Sequence, residues 1–350
     1  MSATAAAEPA AEPAAEPGGA SGAAPGTGAL LEVKGLKTWF PVVGGIFRTT
    51  TGHVKAVNDV SFSMHEGEVL SVVGESGCGK STLGFSLLGL TPPTEGSISL
   101  SGSPIDIRSP SAWNRYRKDF QIIFQDPYTS LNPRHTVFEM IAEPMRVHGL
   151  CPARDLRDAV AGLLTKVGLS PDYMNRFPHA FSGGQRQRIG IARAIGLRPK
   201  LIVCDEVVAA LDVSVQAQII QLLMQLKDEL GLSLLFISHD LSLVKAISDR
   251  VLVMYLGKIV EEARARDLFA HPRHPYTAAL LESIPTLNKQ RRPKLLGGEI
   301  PSPVNLPPGC AFAGRCARVQ DRCRKESPTL LAAGQSRAAC FFPIDLPTVA

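Results

Sequence analysis

Residues 74–81 read Gly74-Glu75-Ser76-Gly77-Cys78-Gly79-Lys80-Ser81 and fit the pattern G-x-x-x-x-G-K-[ST] at every fixed position. The chemistry such a run supports is phosphate binding. Its glycines let the backbone curl until successive N–H groups point inward at phosphate oxygens. Lys80 is placed to reach the β- and γ-phosphates of a nucleotide and the Ser81 hydroxyl to ligate Mg²⁺, with Thr82 next in the cradle. A glycine-rich turn that matches by chance is the alternative, and the flanks speak against it. Val69-Leu70-Ser71-Val72-Val73 has the length of a buried strand. Residues 82–90 are helical in character and stopped by Pro92-Pro93. A helix opening at this point adds its partial positive charge to the site.

Further candidates stand at the ends of apolar runs. Leu201-Ile202-Val203-Cys204 runs into Asp205-Glu206. Asp205 is the expected Mg²⁺ partner, directly or through water. Glu206 is then positioned to orient or activate a hydrolytic water. A surface acidic pair rarely caps four buried apolar residues. Phe120-Gln121-Ile122-Ile123-Phe124 ends at Gln125, where α/β folds place ligand contacts. Gln125 touches Mg²⁺ and the attacking water, or it is a turn residue. Ser233-Leu234-Leu235-Phe236-Ile237-Ser238 ends at His239, which can hydrogen-bond a γ-phosphate and sense its loss. Ser182-Gly183-Gly184-Gln185 leads into a helix expected over 186–197, and its free N–H groups make a second potential anion site. An aromatic ahead of the phosphate loop can stack on an adenine ring. Phe40 is the first choice and Trp39 the second, with plain core packing as the other reading.

These groups need a scaffold, and the patterning supplies an α/β one. Strands are expected at 30–36, 54–64 and 96–102, forming a small antiparallel sheet beside the nucleotide core, with a Gly- and Thr-rich loop up to Gly52. Residues 136–147 and 153–167 have helical spacing and form a helical insert within about 130–197. Residues 211–230 are amphipathic, with Val215, Ile219, Leu222, Leu223, Leu226 and Leu230 on one face and Gly231 as the stop.

Composition sets the bounds. The chain has 350 residues and a formal net charge of +5. No apolar run approaches the roughly 18 residues of a membrane span. Residues 1–28 hold Ala, Glu, Pro and Gly with almost no large apolar side chain, and are expected to be a disordered leader. No secretory signal is visible, so the seven cysteines point to reduced thiols or metal ligands rather than a disulfide framework.

Together these residues resemble the ATP-binding-cassette (ABC) family, specifically the nucleotide-binding subunits of bacterial dipeptide/oligopeptide importers. The resemblance covers about 30–265. Residues 74–81 match the Walker A loop, Gln125 the Q-loop, Ser182-Gly183-Gly184-Gln185 the ABC signature (with Phe181 where Leu is usual), 201–206 Walker B, Leu211-Asp212 the D-loop and His239 the switch histidine. One departure is visible: Ala209 stands where the family usually has Ser. The resemblance implies a P-loop ATPase core over 29–264, with an antiparallel β subdomain and a helical subdomain. It implies ATP and Mg²⁺, and hydrolysis by Glu206, His239 and Gln125. It also implies a head-to-tail pair of cassettes in which Ser182 to Gln185 serve the partner's ATP. The expected partners are a second, paralogous cassette, two transmembrane permease subunits and, indirectly, an extracytoplasmic binding protein. No nucleic acid is expected, and the place is the cytoplasmic face of the membrane. Nickel, glutathione or an opine-like cargo is the alternative within this architecture. A soluble ABC ATPase acting on DNA or ribosomes is the distant one.

Residues 265–350 form an extension. His274-Pro275-Tyr276 resembles the His-Pro-Tyr element of peptide-importer cassettes and reads physically as a proline-led helix start. Cys310, Cys316, Cys323 and Cys340 follow at spacings of x5, x6 and x16, without the tight pair usual for structural zinc. This set suits a [4Fe–4S] cluster better, in agreement with the resemblance, with zinc and free thiols as alternatives. Cys78, Cys151 and Cys204 read as structural. The basic run 289–294 reads as a solvated linker, or as a segment facing lipid phosphates.

Overall fold

The computed structural model describes residues 28–44, 49–126, 128–283, 297–299 and 301–344. The expected leader (apart from Gly28) and the basic run 289–294 lie outside them. In chain order the elements are β1 (Leu31–Gly44), β2 (Thr49–Met64), β3 (Val69–Val73), α1 (Lys80–Leu87), β4 (Glu95–Leu100), β5 (Ser103–Ile105), α2 (Pro110–Asn114) and β6 (Phe120–Ile123). The helical region holds α3 (Val137–Val147), α4 (Leu156–Lys166) and α5 (Gly183–Ile195). Then come β7 (Leu201–Asp205), α6 (Val213–Leu230), β8 (Ser233–Ile237), α7 (Leu241–Ile247), β9 (Arg250–Tyr255) and β10 (Lys258–Arg264). The extension carries α8 (Ala265–Ala270), α9 (Pro275–Glu282), α10 (Asp321–Lys325), β11 (Leu331–Ala333) and β12 (Ser336–Ala338).

Two sheets result among the described residues. One has the order β2-β1-β4-β5 and is antiparallel; the other has the order β11-β12-β10-β9-β3-β8-β7-β6. In the larger sheet β6, β7, β8, β3 and β9 run parallel. A parallel sheet carries layers on both faces, so its strands read as unbroken apolar runs. Every residue of β3, β7 and β8 is accordingly buried. One apolar core joins the sheet to the helical region, around Ile141, Val160, Ile189 and Phe236. A second joins it to the antiparallel sheet, around Leu31, Val60, Leu83 and Leu235. A third, around Tyr255, Tyr276 and Phe312, ties in the extension. Because β3, β6, β7 and β8 share a direction, their C-terminal ends open onto one edge, where open α/β sheets bind ligands.

Local structure differs from the sequence reading in two places. Residues 42–44 and 49–52, expected as part of a loop, are strand in a long hairpin, with Phe40 paired to Val54 and Gly44 to Thr49. The β-branched Val42, Val43 and Thr49-Thr50-Thr51 favour that extended ladder. The helix expected from 186 begins at Gly183, because Ser182 caps it. Ser182 Oγ accepts the Gln185 N–H (3.4 Å) and Gln185 Oε1 accepts the Ser182 N–H (3.0 Å). Among the described residues no helix is long and apolar enough to cross a membrane.

Candidate nucleotide site

The phosphate loop leaves β3 and returns as α1. Gly79 stands at the helix N-cap with φ 107°. That left-handed backbone suits glycine, and a Cβ there would run into the Ala56 carbonyl. Lys80 is buried, and its ammonium donates to the carbonyls of Gly74 (2.8 Å) and Glu75 (3.0 Å). A buried charge needs such partners, and phosphate oxygens can replace them. Cys78 lies buried behind the loop, its thiol pushed up by burial.

Asp205, the last residue of β7, accepts the Ser81 hydroxyl at 2.9 Å. Burial pushes the Asp205 carboxyl up; the Ser81 hydrogen bond pulls it back. The pair offers two hard oxygen donors at the mouth of the loop, a donor set that fits Mg²⁺.

One residue on, Glu206 takes φ 47°, a strained conformation for a non-glycine side chain that costs about 1–3 kcal/mol. Its N–H is held by the Ile237 carbonyl of β8 at 3.0 Å. The carboxylate is gripped at both ends. Gln125 Nε2 donates to Oε2 (2.7 Å), and His239 Nδ1 lies 3.2 Å from Oε1. So side chains from the ends of β6 and β8 meet the carboxylate that follows β7. His239 is 62% exposed and Glu206 19%, so the corner opens to solvent.

Other expected residues lie apart from this corner. Phe40 is 41% exposed on β1, and Trp39 lies between the ammonium groups of Lys37 (5.5 Å) and Lys55 (5.4 Å). At Ser182 the cap uses the Gln185 N–H, which is therefore not free as expected; Gly183 and Gly184 precede the first intrahelical bond. Asp212 is exposed at the start of α6, with no hydrogen bond from its side chain to the helix. The altered stretch before it packs inward: Val207 and Val208 are buried while Ala209 is exposed. Gln216 Nε2 staples that turn by donating to the Val208 and Leu211 carbonyls (3.0 and 2.9 Å).

Sequence reasoning missed two neighbours of the loop. The Tyr276 hydroxyl accepts the Glu75 N–H at 2.9 Å, and Arg315 holds the Glu75 carboxylate through both terminal nitrogens (2.7 and 2.9 Å). Tyr276 was visible in its motif as a helix start only; Arg315 had no local signal.

Cys310, Cys316, Cys323 and Cys340 converge on one small cavity that Phe341 also lines. Burial, with the other thiols adding, pushes Cys310 and Cys316 up and Cys340 up to about 11. Yet among the described residues no three His, Cys, Asp or Glu side chains are arranged to hold a metal ion. The expected [4Fe–4S] cluster, and zinc with it, draws no support from this arrangement. Four thiols share a cavity without forming a ligand cage.

A phosphate loop between a parallel strand and a helix, facing an acidic strand end, defines a P-loop nucleotide-binding core. Comparison with known proteins agrees. Residues 57–209 match the family model for the ABC transporter, and residues 260–323 the one for the oligopeptide/dipeptide transporter C-terminal region. The oligopeptide transport ATP-binding protein AppF of Bacillus subtilis is 49% identical over 89% of this chain and 97% of the relative. OppF of Escherichia coli, an oligopeptide transport ATP-binding protein, is 48% identical over 90% and 97%. Among solved structures, cbiO1 of Clostridium perfringens, part of the ABC transporter complex cbiONQ, aligns with TM-score 0.59 and 28% identity over 69% of this chain and 91% of that one. The dimeric ATP-binding cassette MJ0796 bound to ADP and Pi aligns with TM-score 0.59 and 26% identity over 67% and 99%. The chain belongs to the ABC transporter family, among the ATP-binding subunits of oligopeptide and dipeptide transporters.

Proposed function

We propose that the chain hydrolyses ATP at the cytoplasmic face of a membrane and thereby powers uptake of dipeptides or oligopeptides. The observation that carries this reading is Glu206, held between Gln125 and His239 beside the Ser81–Asp205 pair. In this reading residues 74–82 cradle the phosphates, and Lys80 exchanges its two carbonyl partners for phosphate oxygens. Ser81, Asp205 and Gln125 hold Mg²⁺, which when bound neutralises charge on the β- and γ-phosphates. Glu206 accepts a proton from the attacking water, and Gln125 and His239 keep its carboxylate aimed. His239 also reports the γ-phosphate. Phe40 is the candidate adenine platform, supported by its exposed ring on β1.

The signature Ser182 to Gln185 stands at the opening of α5 and serves the ATP of a second, paralogous cassette. The dimeric state of the similar MJ0796 cassette supports pairing of two cassettes, though not the choice of a paralogue. Asp212, exposed at the start of α6, is assigned to the same interface on the D-loop resemblance. Two permease subunits form the pore, and an extracytoplasmic binding protein delivers cargo; the relatives' transport names support a membrane-spanning partner. The test is ATP turnover by the complete transporter in liposomes with its binding protein. Turnover rises when di- or oligopeptide is supplied. Turnover that responds to nickel or glutathione and ignores peptides overturns the cargo assignment.

The four cysteines are retained as a candidate thiol ligand set on their convergence alone, and no catalytic step passes through them. About four iron and four sulfide per anaerobically purified chain support the cluster. Neither metal nor sulfide leaves the thiols as packing.

A further inference from the structure

Glu75 is the second residue of the phosphate loop, and the C-terminal extension holds two of its three polar groups. Its N–H goes to the Tyr276 hydroxyl and its carboxylate to the Arg315 fork, across 240 residues of chain. Its carbonyl accepts from Lys80. The Arg315 side chain is 4% exposed, while the Glu75 side chain is 22% exposed. The guanidinium is fixed on its other sides as well. Nε donates to the Gly297 carbonyl (3.2 Å), Nη1 also reaches the Tyr255 hydroxyl (3.4 Å), and the rings of Tyr255 and Phe312 lie 5.9 and 6.0 Å away. Tyr255, Tyr276 and Phe312 pack on one another with ring centroids 4.6–5.4 Å apart. The Arg315 side chain thus sits against an aromatic wall, one residue before Cys316.

The charge balance gives this contact a consequence. Glu75 places a carboxylate in the loop that must accept the polyanionic end of a nucleotide. Alone, that carboxylate opposes the phosphates; paired bidentately with Arg315, its charge is cancelled. We propose that Arg315 and Tyr276 are positioning residues for nucleotide binding: the extension fixes the opening turn of the phosphate loop and neutralises Glu75, so that ATP affinity depends on the extension. This rests on the reading of residues 74–81 as the ATP phosphate loop. A displacement of the cysteine-bearing lobe is thereby felt at the phosphates.

The test measures binding of a fluorescent ATP analogue to the full chain, and KM and kcat for ATP in the assembled transporter. Arg315→Gln weakens binding on the order of tenfold, the scale of one uncompensated, partly exposed charge about 6 Å away at an effective dielectric of about 40, between the protein surface and water. KM rises by about the same factor, and kcat at saturating ATP stays within about twofold. Adding Glu75→Gln to Arg315→Gln restores most of the affinity, because no unpaired carboxylate remains. Tyr276→Phe costs about threefold, the scale of one hydrogen bond. A merely structural Arg315 gives a double variant as weak as the single one, and that result overturns the proposal. So does wild-type affinity in Arg315→Gln. If Arg315→Gln does not fold, Glu75→Gln alone carries the test. It leaves a cation beside the phosphates and binds about threefold more tightly; weaker binding overturns the proposal. Lys80→Ala is the control. If it binds the analogue like wild type, the phosphate-loop reading has failed; if it loses binding while Arg315→Gln does not, only this inference has.

Discussion

Glu75 and Glu206 each lie just past the C-terminal end of a parallel strand, at the same edge of the same sheet, and they are held in opposite ways. Glu206 is gripped by two neutral-capable polar side chains, one of them largely exposed, and its own backbone is strained. Glu75 is locked by a buried guanidinium and a buried tyrosine hydroxyl within an aromatic wall. The first arrangement leaves the carboxylate partly exposed, which in the proposed reading lets it meet water and change partners when a γ-phosphate arrives or leaves. The second removes a charge from play and holds the backbone still. In the proposed reading, one corner reacts and the other keeps the loop in shape while it does.

Predictions that break this contrast begin with the largest. Glu206→Gln lowers kcat by about 10²–10⁴, the range for loss of a general base, while analogue binding persists. Steady-state turnover in the transporter measures the first and fluorescence titration the second.

Next comes the aromatic side. His274 is buried two residues before Tyr276, accepts the Tyr276 N–H at Nδ1, and is pushed by burial down to about 4. The folded chain therefore keeps it neutral, whereas the unfolded chain protonates it below its ordinary value of 6.5. Its contribution is fully present above pH 6.5 and is lost as pH falls toward 4, in total about 3 kcal/mol. Burial pushes the neighbouring Glu261 carboxyl up, and Arg273 adds a fixed charge; both remain when His274 is replaced. Urea midpoints of wild type and His274→Asn at pH 7 and pH 4.5 isolate the difference, with wild type the more acid-sensitive.

Gln125→Ala removes one grip on Glu206 and lowers kcat by about tenfold, consistent with a loosened base. The smallest effect tests the departure in the D-loop. Ala209 is exposed between a buried Val208 and the α6 start, so Ala209→Ser changes stability by less than about 0.5 kcal/mol. Thermal midpoints check it.

Much of the reactive corner was legible in the sequence, because strands buried on both faces leave unbroken apolar runs whose ends are easy to find. Asp205, Glu206, Gln125 and His239 each terminate such a run. The outer hairpin was misread because glycines masked a ladder of β-branched residues. The start of α5 was misplaced because a Ser182–Gln185 box is a reciprocal hydrogen bond, visible as spacing but not as occupancy. The Arg315–Glu75 contact was illegible for a deeper reason. An ion pair spanning 240 residues leaves no periodicity or motif, and only the packing of β9, α9 and the lobe creates it. The cysteine spacing suggested a [4Fe–4S] ligand set; the four thiols do share one cavity, but not in an arrangement that holds metal among the described residues.

The central claim is that the two carboxylate corners divide the work. It is tested most directly by measuring nucleotide Kd and saturating kcat in parallel for Glu206→Gln and Arg315→Gln. The account predicts a double dissociation: Glu206→Gln loses turnover and keeps affinity, while Arg315→Gln loses affinity and keeps turnover. Affinity and turnover falling together in both variants would contradict it.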